Sequence, residues 1–116
     1  MNAMEIKHTS TVIYTKFNDG SKAYVKYVIE GDRMKILETY TPPQHRGKGI
    51  ARSLMDYAVR MAKERGLLIE PICSYAIRYF IKNPDKRMLL APEYRSVNLE
   101  ELFRKRLEEE SKKRKV

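Results

Sequence analysis

Residues 41–54, TPPQHRGKGIARSL, set Gly47 and Gly49 one residue apart among cations, directly before an apolar pattern at helical spacing. Main-chain N–H groups in the first turn of a helix have no internal partners and carry the positive end of the helix dipole, and glycines let a ligand approach them closely. That combination selects a phosphate or pyrophosphate. Other residues could act on whatever such a ligand carries. Cys73, the single cysteine, is a nucleophile if its pKa is depressed and otherwise a packed thiol. Glu38 and Glu70 stand inside strand-like runs, three residues before Thr41 and Cys73 respectively. A carboxylate in such a run is costly unless it is paired or faces water. One or both could line an open cleft, bind a cationic acceptor and take its proton; the alternative is that each pairs with a nearby Lys or Arg on a sheet face. Tyr79 shares an apolar helical face with Ala76 and Phe80 and reads more readily as core than as an acid. His45, beside Arg46 in a polar loop, reads as solvated rather than as a base.

The elements that must position these residues follow from hydrophobic period. Residues 4–41 alternate in the manner of strands: TVIYTKF, a turn at Asn18–Gly20, KAYVKYVI, a second turn at Glu30-Gly31-Asp32, then RMKILETYT. Three or four antiparallel strands are expected, ended by Pro42 and Pro43, which cannot donate to a ladder. From Ile50 to Arg65 the period becomes helical, and Gly66 is the expected stop. LLIEPIC reads as a short buried strand and SYAIRYFIKN as an amphipathic helix halted by Pro84. Strand, helix and strand make a βαβ unit with parallel strands. Residues 83–97 read as irregular, and 98–116 as a helix with Asn98 as N-cap and Leu99, Leu102, Phe103 and Leu107 on one stripe.

Length and composition bound the answer. A chain of 116 residues suits one domain. No apolar run approaches the roughly 20 residues of a membrane span, no apolar leader opens the chain, and a lone cysteine fits a reducing compartment, so a soluble, cytoplasmic protein is expected. The net charge of +9 favours anionic ligands or partners, although a heavily charged, thermophile-like surface would give the same excess. With eight tyrosines and the SKKRKV tail it would also suit a nucleic-acid-binding or acidic-protein-binding module.

Among phosphate loops, a P-loop requires Ser or Thr after Gly-Lys, where Gly49 stands after Lys48, and a dinucleotide fingerprint requires a third glycine where Arg52 stands. Gln44-His45-Arg46-Gly47-Lys48-Gly49 instead matches Q/R-x-x-G-x-G/A and resembles motif A of the GNAT N-acetyltransferase superfamily. With Pro71-Ile72-Cys73, and Tyr79 six residues after the cysteine, the chain looks like its small single-domain, YjdJ-type branch. The resemblance covers roughly residues 4–90.

The resemblance implies an α+β fold of the GNAT type: an antiparallel N-terminal meander and a central βαβ unit with parallel, splayed strands, here followed by an extra C-terminal helix. It divides the chain into an acetyl-CoA-binding domain, 1–92, and a helical extension with a basic tail, 93–116. It implies acetyl-CoA as co-substrate, no metal, and an amine acceptor, either a small molecule or a protein, in a monomer or homodimer. Within the Gln44 to Ala51 segment, the main chain from Arg46 through Gly47, Lys48, Gly49 and Ile50 to Ala51 would cradle the pyrophosphate. Tyr40 and Thr41 would face the pantetheine arm, and Cys73 the thioester end. The acceptor amine would attack the thioester directly, with a main-chain N–H of the preceding strand polarising the oxyanion.

The chain departs from this pattern in two respects. The tyrosine that many relatives use to protonate the departing thiolate is replaced by Phe80, which leaves Tyr75 or Tyr79 as substitutes. Glu38 and Glu70 stand where the small branch would carry a histidine and an apolar residue. A CoA-binding protein with little catalysis is the competing reading within the same resemblance.

Overall fold

The computed structural model describes residues 4–114; residues 1–3 and the end of the basic tail, Lys115 and Val116, lie outside the described residues. Five strands form one sheet in the order β1-β2-β3-β4-β5: β1 Lys7–His8, β2 Val12–Lys16, β3 Lys22–Glu30, β4 Arg33–Tyr40 and β5 Leu68–Pro71. The first four run antiparallel and β5 runs parallel to β4, so the expected α+β meander and βαβ unit are both present. α1, Ile50–Glu64, is the crossover between β4 and β5, and α2, Ser74–Lys82, follows β5. The segment expected to be irregular is instead a 3-10 turn at Pro84–Leu89 and a short helix α3, Pro92–Arg95. Pro84 and Pro92 each open one of these elements, where a missing N–H costs nothing. α4, Leu99–Arg114, closes the chain.

Alternation builds the core. Ile13, Val25, Met34, Ile36 and Ile69 are fully buried from the sheet, and α1 presents Leu54, Met55 and Ala58 to them. Each large side chain so buried contributes about 1.5–3 kcal/mol. The residues between them, among them Lys22, Lys26 and Glu38, lie exposed on the other face.

Two irregularities in β4 open the sheet. Pairing with β5 stops at Ile36 opposite Pro71, and the Ile36 carbonyl then accepts both the Ile72 and the Cys73 N–H, at 3.0 and 3.1 Å. Beyond that point β4 continues to Tyr40 paired with β3 only, while the chain after β5 turns away into α2. At the same place the β3–β4 register slips: Tyr27 faces Ile36, Lys26 faces Glu38, and Leu37 is the extra residue of a bulge. Such bulges bend a strand and re-aim its side chains.

α4 packs along α2. Asn98 caps it as expected, its Oδ1 accepting the Glu101 N–H at 3.0 Å. Leu99 is buried, with Leu102 and Phe103 against the core. Leu107, expected on the same stripe, is 44% exposed. The packed stripe passes instead through Arg106 and Glu110, since a helix of 3.6 residues per turn carries 99, 103, 106 and 110 on one side.

Candidate active site

Pro42 and Pro43 end β4 and open a one-turn 3-10 helix, Pro43–His45. The side chains of this turn reach back to the β2–β3 hairpin. His45 stacks on Phe17 with centroids 3.7 Å apart and donates from Nε2 to Asp19 Oδ2 at 2.9 Å. Gln44 donates to the same oxygen at 3.1 Å. His45 is therefore a fixed strut rather than the solvated side chain expected from its loop position. Hydrogen bonds from Ser21 first, then from Gln44 and His45, hold the Asp19 carboxyl well below the usual carboxylate range. Arg46 folds back so that Nε donates to the Thr41 carbonyl at 2.9 Å.

The loop then takes two left-handed steps, Gly47 at φ +81° and Gly49 at φ +75°, the second as N-cap of α1. L-residues with a Cβ are disfavoured at such angles. The first hydrogen bond of the helix runs from the Ser53 N–H to the Gly49 carbonyl, 3.1 Å, so the N–H groups of Ile50, Ala51 and Arg52 lack helical partners. No acidic residue stands in this first turn. A cavity of about 380 Å³ lies over it, walled by Thr41, Arg46, Gly47, Gly49, Ala51 and Arg52, with Tyr40 and Tyr75 at its far end. Thr41 Oγ1 is a buried side-chain atom left without a hydrogen-bond partner among the described residues. Unpaired donors, cations and an orphaned hydroxyl around one concavity fit a pyrophosphate with a polar arm. Gln44, Lys48 and Ile50 stay out of the wall. Arg52 is in it; the sequence reading met Arg52 only as an absent glycine, though in the first turn of the helix it borders the same cavity.

A second cavity, of about 730 Å³, occupies the gap where β4 and β5 part. Thr39, Tyr40 and Tyr75 line both cavities, so the two adjoin along these residues and are together called the channel. Cys73 lines it, 8% exposed, with Sγ 3.4 Å from Thr39 Oγ1. Burial pushes the Cys73 thiol up, outweighing the opposite effects of the Thr39 hydroxyl and the Ala76 and Tyr75 N–H groups. The thiol is protonated at neutral pH and a poor nucleophile.

The channel gathers some of the expected residues and leaves others out. Glu38 lines it, accepting the Tyr24 hydroxyl at 2.7 Å and lying 3.9 Å from Lys26 Nζ. The hydrogen bond to Glu38 pushes the Tyr24 phenol up to about 12. Glu70 lies outside, 3.4 Å from Arg33, which also binds Glu93 at 2.7 Å. For Glu70 the paired arrangement on a sheet face is the one found. Tyr79 is buried against α1, donating to Asp56 at 2.6 Å. Tyr75 lines the channel together with Tyr40, and burial holds the Tyr75 pKa above the usual tyrosine value. Phe80 is fully buried. The sequence reading also missed Thr39 and Glu110. Glu110 Oε2 accepts the Ser74 N–H at 2.9 Å and its Oε1 the Ser74 hydroxyl at 2.6 Å, beside Cys73. Its place one helical stripe beyond Leu99 and Phe103 was the available signal.

Among the described residues no group of His, Cys, Asp and Glu is placed to hold a metal ion, and no helix is long and apolar enough to cross a membrane.

Comparison with known proteins bears on this geometry. The model of the GCN5-related N-acetyltransferase family matches residues 12–89, more than half of the chain. Among solved structures, the chain is similar to the NMR solution structure of a GCN5-like N-acetyltransferase candidate from Staphylococcus aureus. The TM-score is 0.64 at 22% identity, over 78% of this chain and 91% of that one. At that identity the likeness shows the fold. Comparison with curated proteins gives no match.

Proposed function

The chain belongs to the GCN5-related N-acetyltransferase family, and on that premise we propose that it transfers the acetyl group of acetyl-CoA to an amine acceptor. The observation that carries the reading is the adjacency of the two cavities, which share Thr39, Tyr40 and Tyr75. An anion cradle lies beside a cleft between splayed strands. On this reading the N–H groups at the start of α1, with Arg46 and Arg52, hold the pyrophosphate. Thr41 Oγ1 and the free edge of β4 meet the pantetheine arm. A further cavity of about 740 Å³ shares Arg52 and adds Arg60, Lys63 and Lys86 beside Asp56 and Asp85; its four cations against two carboxylates suit the phosphorylated adenosine end. Residues 1–92 form the catalytic domain and 93–116 its extension.

The thioester supplies an acyl carbon activated for attack. The chain's own residues supply the rest. Tyr75, kept protonated by burial, stands in the channel as the proton donor for a leaving thiolate, the role denied to Phe80. Of the three carboxylates lining the cleft, Glu110 is held by Ser74 and Glu109 pairs with Arg106, so Glu38 is the one assigned to attract an ammonium and take up a proton. That help matters, because deprotonating a lysine-type amine of pKa about 10.4 at pH 7 costs roughly 4–5 kcal/mol. The raised thiol pKa favours direct attack by the amine over a covalent acetyl-Cys73.

Calorimetry with acetyl-CoA, followed by a thiol-release screen over small amines, peptides and proteins, tests the reading. Micromolar binding and release with at least one amine class are expected. Binding without release from any acceptor would reduce the chain to a CoA-binding protein. Salt-sensitive binding of duplex DNA without CoA binding would move it to the nucleic-acid class.

A further inference from the structure

The matched family span ends at residue 89, yet α4 lies across the channel. Arg106, Glu109, Glu110 and Lys113 form one side of the 730 Å³ cavity, opposite Leu37–Tyr40 of β4, with Cys73 and Tyr75 between them. Packing alone does not hold this part of the helix there. Leu99 is buried and Leu102 and Phe103 are half-buried, but the following turns are polar and Leu107 faces out. The contact at the channel is Glu110 on Ser74, accepting both the main-chain N–H and the hydroxyl. Ser74 opens α2, so its N–H is one of the unpartnered donors of that helix and the carboxylate meets the positive end of the dipole. Both bonds are charge-assisted.

We infer that α4 is the acceptor-side wall of the transfer site, that Glu110 is the positioning residue that fastens it through Ser74, and that the acceptor admitted is a small amine rather than a lysine on a folded protein. The inference rests on the acetyl-transfer reading. The cavity falls within the roughly 300–1,000 Å³ of small-molecule sites. A lysine on a folded surface would need a broad approach to Tyr75 and Cys73, and α4 walls one side of that approach. A narrow amine can enter between α4 and β4 with its ammonium toward Glu38. The acceptor's identity is thus set by a segment outside the family's shared span.

Cys73 is the single cysteine of the chain, so its alkylation reports access without ambiguity. The full chain is treated with iodoacetamide and, separately, with a polymer-linked maleimide, as wild type, Glu110→Gln and Ser74→Ala. Removing a neighbouring negative charge changes the thiolate fraction and so scales both rates alike; their ratio reads access alone. The bulky-to-small ratio is expected to rise about tenfold in Glu110→Gln and by less in Ser74→Ala, which keeps the main-chain bond. In transfer assays KM for putrescine is expected to rise about tenfold in Glu110→Gln with the acetyl-CoA Kd unchanged, and wild type is expected to prefer putrescine to the lysines of folded cytochrome c. An unchanged ratio in both variants, or equal rates on putrescine and cytochrome c by wild type, overturns the inference. Failure of wild type to bind acetyl-CoA overturns instead the acetyl-transfer reading beneath it.

Discussion

Thr39 Oγ1 and Cys73 Sγ meet at 3.4 Å across the point where β4 and β5 separate. The contact ties β4 to the N-cap of α2, just beyond the last main-chain bonds that Ile72 and Cys73 make to Ile36. Burial pushes the thiol up, so on the proposed acetyl-transfer reading Cys73 would serve as packing rather than as a nucleophile. Cys73→Ala is expected to keep transfer within about fivefold of wild type and to lose about 1 kcal/mol or more of stability through the missing buried contact. Mass spectrometry of wild type mixed with acetyl-CoA, without acceptor, is expected to show unmodified Cys73; a stoichiometric acetyl adduct would establish the covalent route instead.

The two tyrosines of α2 are expected to behave oppositely. Tyr75→Phe removes a phenol from the channel and is expected to lower kcat about 100-fold, the scale of a lost general acid, and to abolish any alkaline limb of the rate profile. Tyr79→Phe removes the hydrogen bond to Asp56 and is expected to cost about 1 kcal/mol of stability with kcat unaltered. Thermal melts and pH–rate profiles of the two variants separate the roles.

Asp19 ties the phosphate loop to the hairpin, and its carboxyl titrates below the ordinary range. A folded-state pKa lower than the unfolded one means that the unfolded chain binds more protons, so stability from this group is fully present above the ordinary aspartate pKa of about 3.9 and is lost as pH falls below it. The stability difference between wild type and Asp19→Asn is expected to be flat above about pH 5 and to shrink as pH falls below about 4. At neutral pH the same variant is expected to bind acetyl-CoA more weakly while KM for the amine stays constant.

Gly49 sits at φ +75° as the N-cap of α1. Gly49→Ala is expected to cost roughly 1–2 kcal/mol, because the left-handed conformation is disfavoured once a Cβ is present. If the variant relaxes toward ordinary angles, the N–H groups of the first turn swing away and acetyl-CoA affinity falls by at least tenfold. Calorimetry beside thermal unfolding reads both effects.

Glu38 and Glu70 look alike in sequence and differ in place. Glu38→Gln is expected to raise KM for a cationic amine several-fold and to steepen the fall of rate below pH 8. Glu70→Gln loosens the Arg33–Glu93 cluster and is expected to leave rate and KM alone while lowering the melting temperature slightly. Steady-state kinetics from pH 6 to 9 distinguish them; unchanged kinetics in both would remove carboxylates from the mechanism.

Local signals carried much of this arrangement. Period two followed by period 3.6, with prolines between, is enough to place strand, loop and helix, and paired glycines before an apolar helix mark an anion site. Asn98 was legible as a cap because Asx capping is a short-range event. What was hidden depends on distant partners. Nothing near Gln44-His45 shows that Asp19 stands beneath them, since that contact is made by hairpin length and sheet twist. The difference between Glu38 and Glu70 lies in which cation, from another strand or from α3, reaches each. The exposure of Leu107 follows from where α4 meets α2, and while the helical stripe singles Glu110 out from the other glutamates of its run, its partner Ser74 could not be read from the sequence.

The extra residue at Leu37 decides which chemistry faces the thiol. In the observed register Thr39 stands across from Val25 and Glu38 across from Lys26, so the hydroxyl turns inward and the carboxylate outward. Continue the pairing of Tyr27 with Ile36 without the bulge, and Glu38 would fall opposite Val25, because side chains alternate in parity along a strand. A carboxylate would then press on a buried thiol, with the hydroxyl left in solvent. One inserted residue therefore acts as a parity switch, keeping Met34 and Ile36 in the core while exchanging the outlook of every side chain beyond them.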